Sequence, residues 1–391
     1  MPSQTAERFR PFGTTIFAEM SRLAAQHNAV NLSQGFPDFD GPDFVKAAAK
    51  RAIDHAYNQY ARSAGVPELV TAIAERFTAR THIPVDPMAQ ITVTSGCTEA
   101  IAATLLGIVN PGDEVILFEP YYDSYRASLA MAGAQARFVT LRPMEGRFTF
   151  DPDELARAFT DKTRAILVNT PHNPTGTVFS KEELTQIAGL CQKHDAIALS
   201  DEVYEDLTYG VPHLSIASLP GMADRTVTLS SLGKSFSLTG WKVGWAIASE
   251  GLSAAVRSAH QFLTFSTSTP FQHAAAAALR EGDAYIRELR QTYHDNRDLL
   301  ARALTDLGFA VVVPEGTYFI LAEHSEISSR LSVQGDVELA LKLTQDVGVA
   351  TIPPSVFCAT PGHCANYLRF AFCKRRETLD EAIKRLGKLR A

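Results

Sequence analysis

The residues from Ala165 to Asp201 read AILVNTPHNPTGTVFSKEELTQIAGLCQKHDAIALSD and contain the pattern that decides the fold. Two short apolar runs, Ala165–Asn169 and Ala196–Ser200, flank the amphipathic segment Lys181–His194. Apolar runs of this length, bounded by turn residues, are typical of buried strands, and the segment between them has the length and spacing of a helix. A strand, a helix and a second strand in this order predict parallel strands with a helix packed on the sheet.

The same alternation extends along the chain in both directions. Further strands are predicted at Ile91–Thr94, Glu114–Phe118, Ala136–Thr140, Thr226–Ser230 and Gly244–Ala248, with helices at Thr98–Ile108 and Tyr122–Ala132. The fold class is therefore α/β, with a large domain at residues 46–286 whose mostly parallel sheet lies between helices. From about Arg287 a long polar helix and short strands predict a smaller α+β domain at residues 287–391. We expect the N-terminal arm, residues 1–45, to belong partly to that smaller domain.

Composition narrows the class of protein. The 391 residues are 46% hydrophobic and 20% charged, which is ordinary for a globular protein with two domains. A net charge of −6 without any Lys/Arg run argues against nucleic acid or a membrane surface as partner. The polar N-terminus lacks a signal peptide and no apolar stretch could span a bilayer, so we expect a cytoplasmic protein. Five scattered cysteines without a CxxC pair argue against a disulfide framework and a zinc site, and no metal is expected.

Lys234 lies in the turn that follows a predicted strand, in the stretch Thr228–Gly244, TLSSLGKSFSLTGWKVG. A lysine in a loop is most often a solvated surface charge. Here Ser231 and a second cation, Lys242, are close in sequence, and this combination suits a ligand that carries a phosphate. One of the two lysines would then be free to form an imine with a carbonyl group.

Asp201 and Asn173 follow two other predicted strands, at the edge where ligands bind in open α/β sheets. Asp201 ends a buried run, so its carboxylate needs a partner. That partner is either a helix cap or ion pair, or the protonated nitrogen of a pyridine ring. Asn173 lies in NTPHNPTG, which is either a plain turn or a source of amide donors to a ligand.

Two further segments carry candidate binding groups. The stretch Ser95–Ala100, SGCTEA, joins a strand to a helix, and its free backbone amides favour a bound phosphate. Arg369 alternates with apolar residues in Tyr367–Phe372, YLRFAF. An arginine in so apolar a strand either pairs with an internal acid or binds the carboxylate of a ligand.

The combination of motifs resembles class I aminotransferases of the pyridoxal-5'-phosphate (PLP) fold type I. The resemblance extends from about Phe17 to the C-terminus and is carried by eight motifs in family order: SQGFPDF, NQYARSAGVPELV, SGCTEA, EPYYDSY, NTPHNPTG, SDEVYEDL, SSLGKSFSLTGWKVGW and YLRFAF. Within the class the chain is most similar to kynurenine aminotransferases, glutamine transaminase K and methionine aminotransferases. N-succinyldiaminopimelate aminotransferases form a related group.

The resemblance implies a role for each matching residue. Lys234 matches the lysine that binds the cofactor and carries the proton, and Asp201 matches the partner of the pyridine nitrogen. The other cofactor-binding positions are Tyr204 and Asn173 at the ring oxygen, Tyr122 on the ring face, and Gly96, Cys97, Thr98, Ser231 and Lys242 at the phosphate. The resemblance also implies a homodimer in which Tyr60 reaches the phosphate of the neighbouring subunit. The substrate-binding positions are Gly35, Asn173 and Arg369 for the α-carboxylate, with Phe17 and Phe265 in the side-chain pocket.

These matches imply a ping-pong transfer of an amino group from an L-amino acid to a 2-oxo acid. Phe17 replaces a tryptophan of related kynurenine enzymes, and Ser266 replaces a histidine that some carry after the matching phenylalanine. The segments predicted to line the side-chain pocket are Phe12–Phe17, Tyr122–Tyr125 and Phe262–Ser268. None contains Lys or Arg, and Arg126 lies just outside the second. We therefore expect neutral, sulfur-containing or aromatic donors such as methionine, phenylalanine, glutamine or kynurenine. The alternatives are a cysteine-conjugate β-lyase, an N-succinyldiaminopimelate aminotransferase, and a regulatory protein that kept the fold without turnover.

Overall fold

The computed structural model describes residues 4–390. Its strands are β1 Val30–Asn31, β2 Ile91–Thr94, β3 Glu114–Glu119, β4 Gln135–Thr140, β5 Arg142–Met144, β6 Arg147–Thr149, β7 Thr163–Asn169, β8 Ile197–Asp201, β9 Thr226–Ser231, β10 Gly244–Ile247, β11 Ala310–Val311, β12 Phe319–Glu323, β13 Val349–Ala350 and β14 Tyr367–Ala371. Its α-helices are α1 Ile16–Gln26, α2 Asp43–Asp54, α3 Pro67–Thr81, α4 Cys97–Ile108, α5 Ser124–Ala132, α6 Pro152–Ala158, α7 Lys181–Lys193, α8 Leu232–Ser235, α9 Glu250–Leu263, α10 Thr269–Glu281, α11 Asp283–Asp306, α12 Ser325–Leu331, α13 Gly335–Lys342 and α14 Arg376–Leu386. No helix within residues 4–390 is long and apolar enough to span a bilayer.

A seven-stranded sheet with the order β2-β10-β9-β8-β7-β3-β4 forms the centre of the molecule. Six strands run in one direction, and β10 is antiparallel to both of its neighbours. The α/β class and the mostly parallel sheet are therefore confirmed. Because β10 is reversed, its first residue, Gly244, pairs with Thr94 at the end of β2 and with Ser231 at the end of β9. Three chain segments thus meet at one edge of the sheet.

Helices cover both faces of this sheet, which explains why its strands are continuous apolar runs. Along β3, Val115 and Leu117 pack into one core cluster, whereas Ile116 and Phe118 pack into another on the opposite face. The helix α7 on the second face begins at a capping box, in which the side chains of Ser180 and Glu183 each accept a bond from the other's backbone N–H.

Two smaller sheets are formed mainly by the C-terminal part of the chain. Strands β11, β12 and β14 are antiparallel, and β1 of the N-terminal arm pairs in parallel with β13. The helix α11, residues 283–306, runs continuously across the predicted boundary at 286/287. The division into domains at residues 45/46 and 286/287 stays a prediction.

Candidate active site

The ends of β2, β7, β8 and β9 surround a cavity of about 240 Å³ at the edge of the large sheet. Thirteen of the fifteen predicted site residues line it: Phe17, Gly35, Gly96, Cys97, Thr98, Tyr122, Asn173, Asp201, Tyr204, Ser231, Lys234, Lys242 and Arg369. The remaining two, Tyr60 and Phe265, lie outside it and contact each other, with their ring centroids 5.3 Å apart.

Lys234 belongs to the single-turn helix α8, directly after β9. Its ammonium nitrogen lies 5.7 Å from the centre of the Tyr204 ring and 5.8 Å from that of Tyr318. Desolvation by the surrounding protein lowers the pKa of Lys234. The side chain faces the cavity, so the amine is within reach of a bound ligand and is easier to deprotonate than an exposed lysine.

Asp201 ends β8 and is buried. One carboxylate oxygen accepts a hydrogen bond from the Tyr125 hydroxyl at 2.7 Å, and the other accepts from the Val203 backbone N–H at 3.3 Å and from the Cys97 thiol at 3.7 Å. Burial raises the pKa of Asp201. A buried carboxylate without a bonded cation fits the protonated nitrogen of a pyridine ring, which would supply that cation.

The turn before α4 forms a cradle that fits a phosphate. Gly96 has a φ of 78°, and a Cβ at this position would lie 3.2 Å from the ammonium nitrogen of Lys242. Only glycine combines this backbone conformation with the close approach of a lysine. The first backbone amides of α4, the helix dipole and Lys242 therefore converge on one point, which favours an anion there.

Arg369 lies on β14 at the opposite end of the cavity and is only 1% exposed. One guanidinium nitrogen donates to the Ser33 carbonyl at 2.7 Å and another to the Asn173 side-chain oxygen at 3.3 Å. Its Nε is buried and has no hydrogen-bond partner within residues 4–390. The guanidinium also lies 4.1 Å from the centre of the Phe319 ring. Burial lowers the pKa of Arg369 to about 10, so the group remains charged at neutral pH.

Gly35 and Phe17 complete the surroundings of Arg369. A Cβ at Gly35 would lie 2.6 Å from the Phe319 ring, so a larger residue would clash there. The Phe17 ring lies 5.2 Å from the guanidinium. The segment around Gly35 is held by the buried Lys374, whose ammonium donates to the Phe36 carbonyl at 2.7 Å.

Tyr60 is 85% exposed, and Phe265 is 47% exposed. Tyr57, three residues before Tyr60, and Phe262 and Leu263, shortly before Phe265, are exposed as well. Large exposed rings of this kind are typical of a surface that another protein covers. Within one chain the Tyr60 ring does not line the cavity.

Sequence reasoning missed three groups that shape the site. Tyr125 is predicted only as part of a pocket segment, yet its hydroxyl donates to Asp201. A signal was available, because Tyr125 follows Tyr122 by three residues and would share a face with it in the predicted helix Tyr122–Ala132. Tyr318 contacts Lys234 and Tyr204, and its hydroxyl donates to the Gly35 carbonyl at 2.5 Å. Nothing in the sequence around Lys374 indicated that this lysine would be buried beside the site.

The class of protein follows from comparison with known families. The family model described as aminotransferase class I and II matches residues 27–386, and the chain belongs to this family. Enzymes of the class I family use pyridoxal phosphate, and this chain is a PLP-dependent aminotransferase.

Individual relatives differ in the substrate that their names state. The structure of the N-succinyldiaminopimelate aminotransferase of Mycobacterium tuberculosis superposes with a TM-score of 0.95 at 46% identity, covering 98% of this chain and 100% of that one. The kynurenine–oxoglutarate transaminase of Dictyostelium discoideum is 42% identical over 97% of this chain and 95% of the relative. The methionine aminotransferase of Escherichia coli is 41% identical over 96% of both chains. The family resemblance inferred from the motifs is confirmed.

Proposed function

We propose that the enzyme transfers the amino group of a neutral, sulfur-containing or aromatic L-amino acid to a 2-oxo acid. The observation that carries this proposal is the charge distribution of the cavity. Its lining contains three cations, Lys234, Lys242 and Arg369. Two of them would hold the cofactor, which would leave Arg369 for the α-carboxylate and, among the described residues that line the cavity, no further cation for an acidic side chain.

The residues at the sheet edge would hold the cofactor. The amides of Gly96, Cys97 and Thr98, with Ser231 and Lys242, suit its phosphate, and Asp201 suits its ring nitrogen. Tyr122 lines the cavity where it would stack on the ring, and Tyr204 and Asn173 would donate to the ring oxygen. When bound, PLP supplies an electron-withdrawing ring that makes the Cα proton of the amino acid acidic.

Arg369 and Lys234 have the two remaining roles, which are binding of the substrate carboxylate and transfer of the proton. Arg369 and Asn173 bind the substrate carboxylate and fix the orientation of Cα, which reduces the entropy lost in reaching the reactive geometry. The amine of Lys234 would remove the Cα proton as general base and then, as general acid, donate it to the carbon of the cofactor that receives the amino group; its lowered pKa suits this task. The buried carboxylate of Asp201 stabilises positive charge on the ring nitrogen.

We further propose a homodimer in which Tyr60 reaches the cofactor phosphate of the neighbouring subunit. This is supported by the exposed ring of Tyr60, its packing against Phe265, and its absence from the cavity of its own chain. Phe265 contacts Tyr60 on the same surface, so its ring would also reach the neighbouring subunit and line the side-chain pocket there.

Arg126, at the end of the segment Tyr122–Arg126, is a cation near the cavity that could in principle pair with an acidic substrate. Arg126 was expected just outside the pocket, and it donates to the Tyr121 hydroxyl at 3.1 Å, with its guanidinium 6.0 Å from the Phe12 ring. It does not line the cavity. The side chain of an aspartate substrate would therefore lose its hydration in the cavity without gaining a cation as partner.

N-succinyldiaminopimelate is the second candidate donor, because a relative of that name is 46% identical over nearly the whole chain. Its succinyl carboxylate would need a cation, and within the described residues of one chain the cavity offers none beyond the three named. The neighbouring subunit would have to provide it. A β-lyase activity, which expels a leaving group from Cβ, requires the same residues and stays an open alternative.

Steady-state kinetics distinguish these candidates. The experiment measures kcat/KM for methionine, phenylalanine, glutamine, aspartate and N-succinyldiaminopimelate with one shared oxo acid. We expect the neutral donors to exceed aspartate by at least tenfold. Aspartate at or above the neutral donors would contradict the proposed pocket, and N-succinyldiaminopimelate as the best substrate would select the second candidate. Release of pyruvate from a β-substituted alanine would reveal the lyase.

A further inference from the structure

A cluster of metal-binding side chains lies outside the cavity, in the loop that precedes β14. The loop reads CATPGHC from Cys358 to Cys364. Cys358, His363 and Cys364 each offer one ligand atom, and these three atoms all lie within 4.8 Å of one another. The sequence pattern argued against a zinc site because the cysteines lack CxxC spacing. That spacing is indeed absent, but the fold brings two cysteines and a histidine together without it.

Turns in the loop produce this arrangement. The backbone N–H of His363 donates to the Thr360 carbonyl at 3.2 Å, and Cys364 has a φ of 59°, which reverses the chain direction. The buried carboxylate of Glu119, at the end of β3, accepts hydrogen bonds from the backbone N–H groups of Ala359 and Thr360. The loop is therefore anchored to the large sheet at one end and continues into β14 at the other.

The side chains of the cluster interact with one another and with nearby backbone groups, since Cys358 and His363 both contact Cys364 and His363 lies beside the Glu119 backbone. The Nε2 of His363 is buried without a hydrogen-bond partner within residues 4–390. The Cys358 thiol contacts the Pro354 carbonyl at 3.7 Å and the sulfur of Cys364. An unpaired buried imidazole nitrogen beside two thiols costs free energy unless something binds to it.

The second group of potential ligands in the described chain, Glu202, Glu205 and His213, differs in this respect. Glu202 accepts hydrogen bonds from Ser200, Ser215 and His213, each at 2.7–2.8 Å. Glu205 forms an ion pair with Arg80 at 2.6 Å. These carboxylates are already satisfied, so a cation would have to displace existing partners, and we assign no site there.

We propose that Cys358, His363 and Cys364 bind one Zn²⁺ ion. Thiolate and imidazole are the ligands that zinc prefers, whereas Mg²⁺ and Ca²⁺ require oxygen ligands. Zinc–ligand bonds of about 2.0–2.3 Å place tetrahedral ligand atoms roughly 3.3–3.8 Å apart. The three ligand atoms lie no more than 4.8 Å apart, so shifts of about one ångström would bring them to that spacing. The residues 359–362 of the loop are exposed, so the ion and a water molecule as fourth ligand can enter from solvent.

The position of the cluster determines how the test must be run. Cys358 directly follows Phe357, whose ring stacks on Phe17 with centroids 5.6 Å apart. The site therefore adjoins the substrate half of the cavity. Because free amino acids also bind zinc, the titration uses the PLP-loaded enzyme without substrate, with thiols kept reduced.

The experiment titrates metal-free enzyme with Zn²⁺ in competition with a chromophoric chelator, and repeats the titration with Co²⁺. We expect one high-affinity site per chain and a thiolate-to-cobalt absorption band in the near ultraviolet. His363→Gln and Cys364→Ser should each lower the zinc affinity roughly tenfold or more and weaken the cobalt band. The matched controls are His55→Gln, an exposed histidine after α2, and Cys191→Ala, a buried thiol in α7; both should bind zinc as wild type does.

Two results would overturn the proposal. The first is a wild-type affinity no higher than that of His363→Gln. The second is a Cys358–Cys364 disulfide in protein purified without oxidant, which would leave no thiolate for a metal. If Cys364→Ser fails to fold, as judged by circular dichroism, the His363→Gln variant alone decides, because His363 is only half-buried.

Discussion

The two ends of the cavity differ in how far the chain itself satisfies their polar groups. At the end of the cavity that we propose to bind the cofactor, the cofactor end, Asp201 accepts hydrogen bonds from Tyr125, Val203 and Cys97. At the substrate end, Arg369 is equally buried but keeps its Nε without a partner within the described residues, and no carboxylate bonds to it. A buried cation without its anion is costly. A substrate carboxylate bound to Arg369 would remove that cost. The free energy spent in burying the guanidinium during folding would then be regained when the substrate binds.

The origin of the two ends differs as well. The cofactor end is built from turns of the large sheet, which the chain forms within residues 91–244. The substrate end joins the N-terminal arm, through Gly35, to β14 near the C-terminus. Variants at the two ends should therefore separate cofactor binding from substrate binding.

The largest effect is expected for Lys234→Ala. Under the proposed function this residue moves the proton, and loss of a general acid–base group lowers the rate by roughly 10²–10⁴-fold. Cofactor should still bind without a covalent bond, because Asp201 and the phosphate cradle remain. Turnover is measured beside cofactor content, with the exposed Lys193→Ala as control. Near-wild-type turnover in Lys234→Ala would remove this residue from the mechanism.

Arg369→Gln should impair substrate binding and spare cofactor binding. Removing one partner of a buried charged pair costs about 2–5 kcal/mol, which corresponds to roughly a 30- to 4,000-fold loss of kcat/KM. Arg369→Lys keeps the charge but loses the planar fork, so it should recover only part of the activity. The affinity for PLP is measured in parallel. If PLP binding fell as much as kcat/KM, the two ends would not be separable.

Tyr60→Phe should weaken cofactor binding although the residue is outside the cavity of its own chain. Loss of one hydrogen bond to a charged phosphate predicts roughly a ten- to a hundredfold higher dissociation constant for PLP. Sedimentation should show an unchanged dimer. An active wild-type monomer at assay concentration would contradict the composite site.

The smallest effect is expected for Tyr125→Phe, which removes one donor to Asp201 and leaves Val203 and Cys97 in place. A single net hydrogen bond of about 0.5–1.5 kcal/mol predicts roughly a two- to thirteenfold loss of cofactor affinity. Tyr121→Phe is the matched control, since the Tyr121 hydroxyl contacts Arg126 and not Asp201. If both variants behaved alike, the contact with Asp201 would not matter for the cofactor.

The central sheet was predictable because each strand is an apolar run that ends at turn residues. The seven predicted strands agree with the observed ones to within one or two residues at each end. The pairing of β1 with β13 was not predictable, because each strand has two residues and no period to detect. The hairpin of β5 and β6 was missed for a related reason, since each strand has three residues and Phe148 is the one buried side chain among them.

The site residues directly after strands, such as Asp201 and Lys234, could be found from local sequence. The contact between Tyr125 and Asp201 could not, because it joins a helix and a strand 76 residues apart. The cluster of Cys358, His363 and Cys364 depends on turn geometry that spacing alone does not report. Contacts of this kind arise from tertiary packing, which local patterns constrain only weakly.

The exposed ring of Tyr60 has a genetic consequence. If Tyr60 serves the neighbouring site, a damaged Lys234 disables its own subunit, whereas a damaged Tyr60 disables the other one. In cells that carry both a normal and a Lys234 allele, mixed dimers keep one working site, and activity falls only in proportion to gene dosage. Two chains with separate defects at Lys234 and at Tyr60 would still assemble one intact site per mixed dimer, so the two alleles should complement each other.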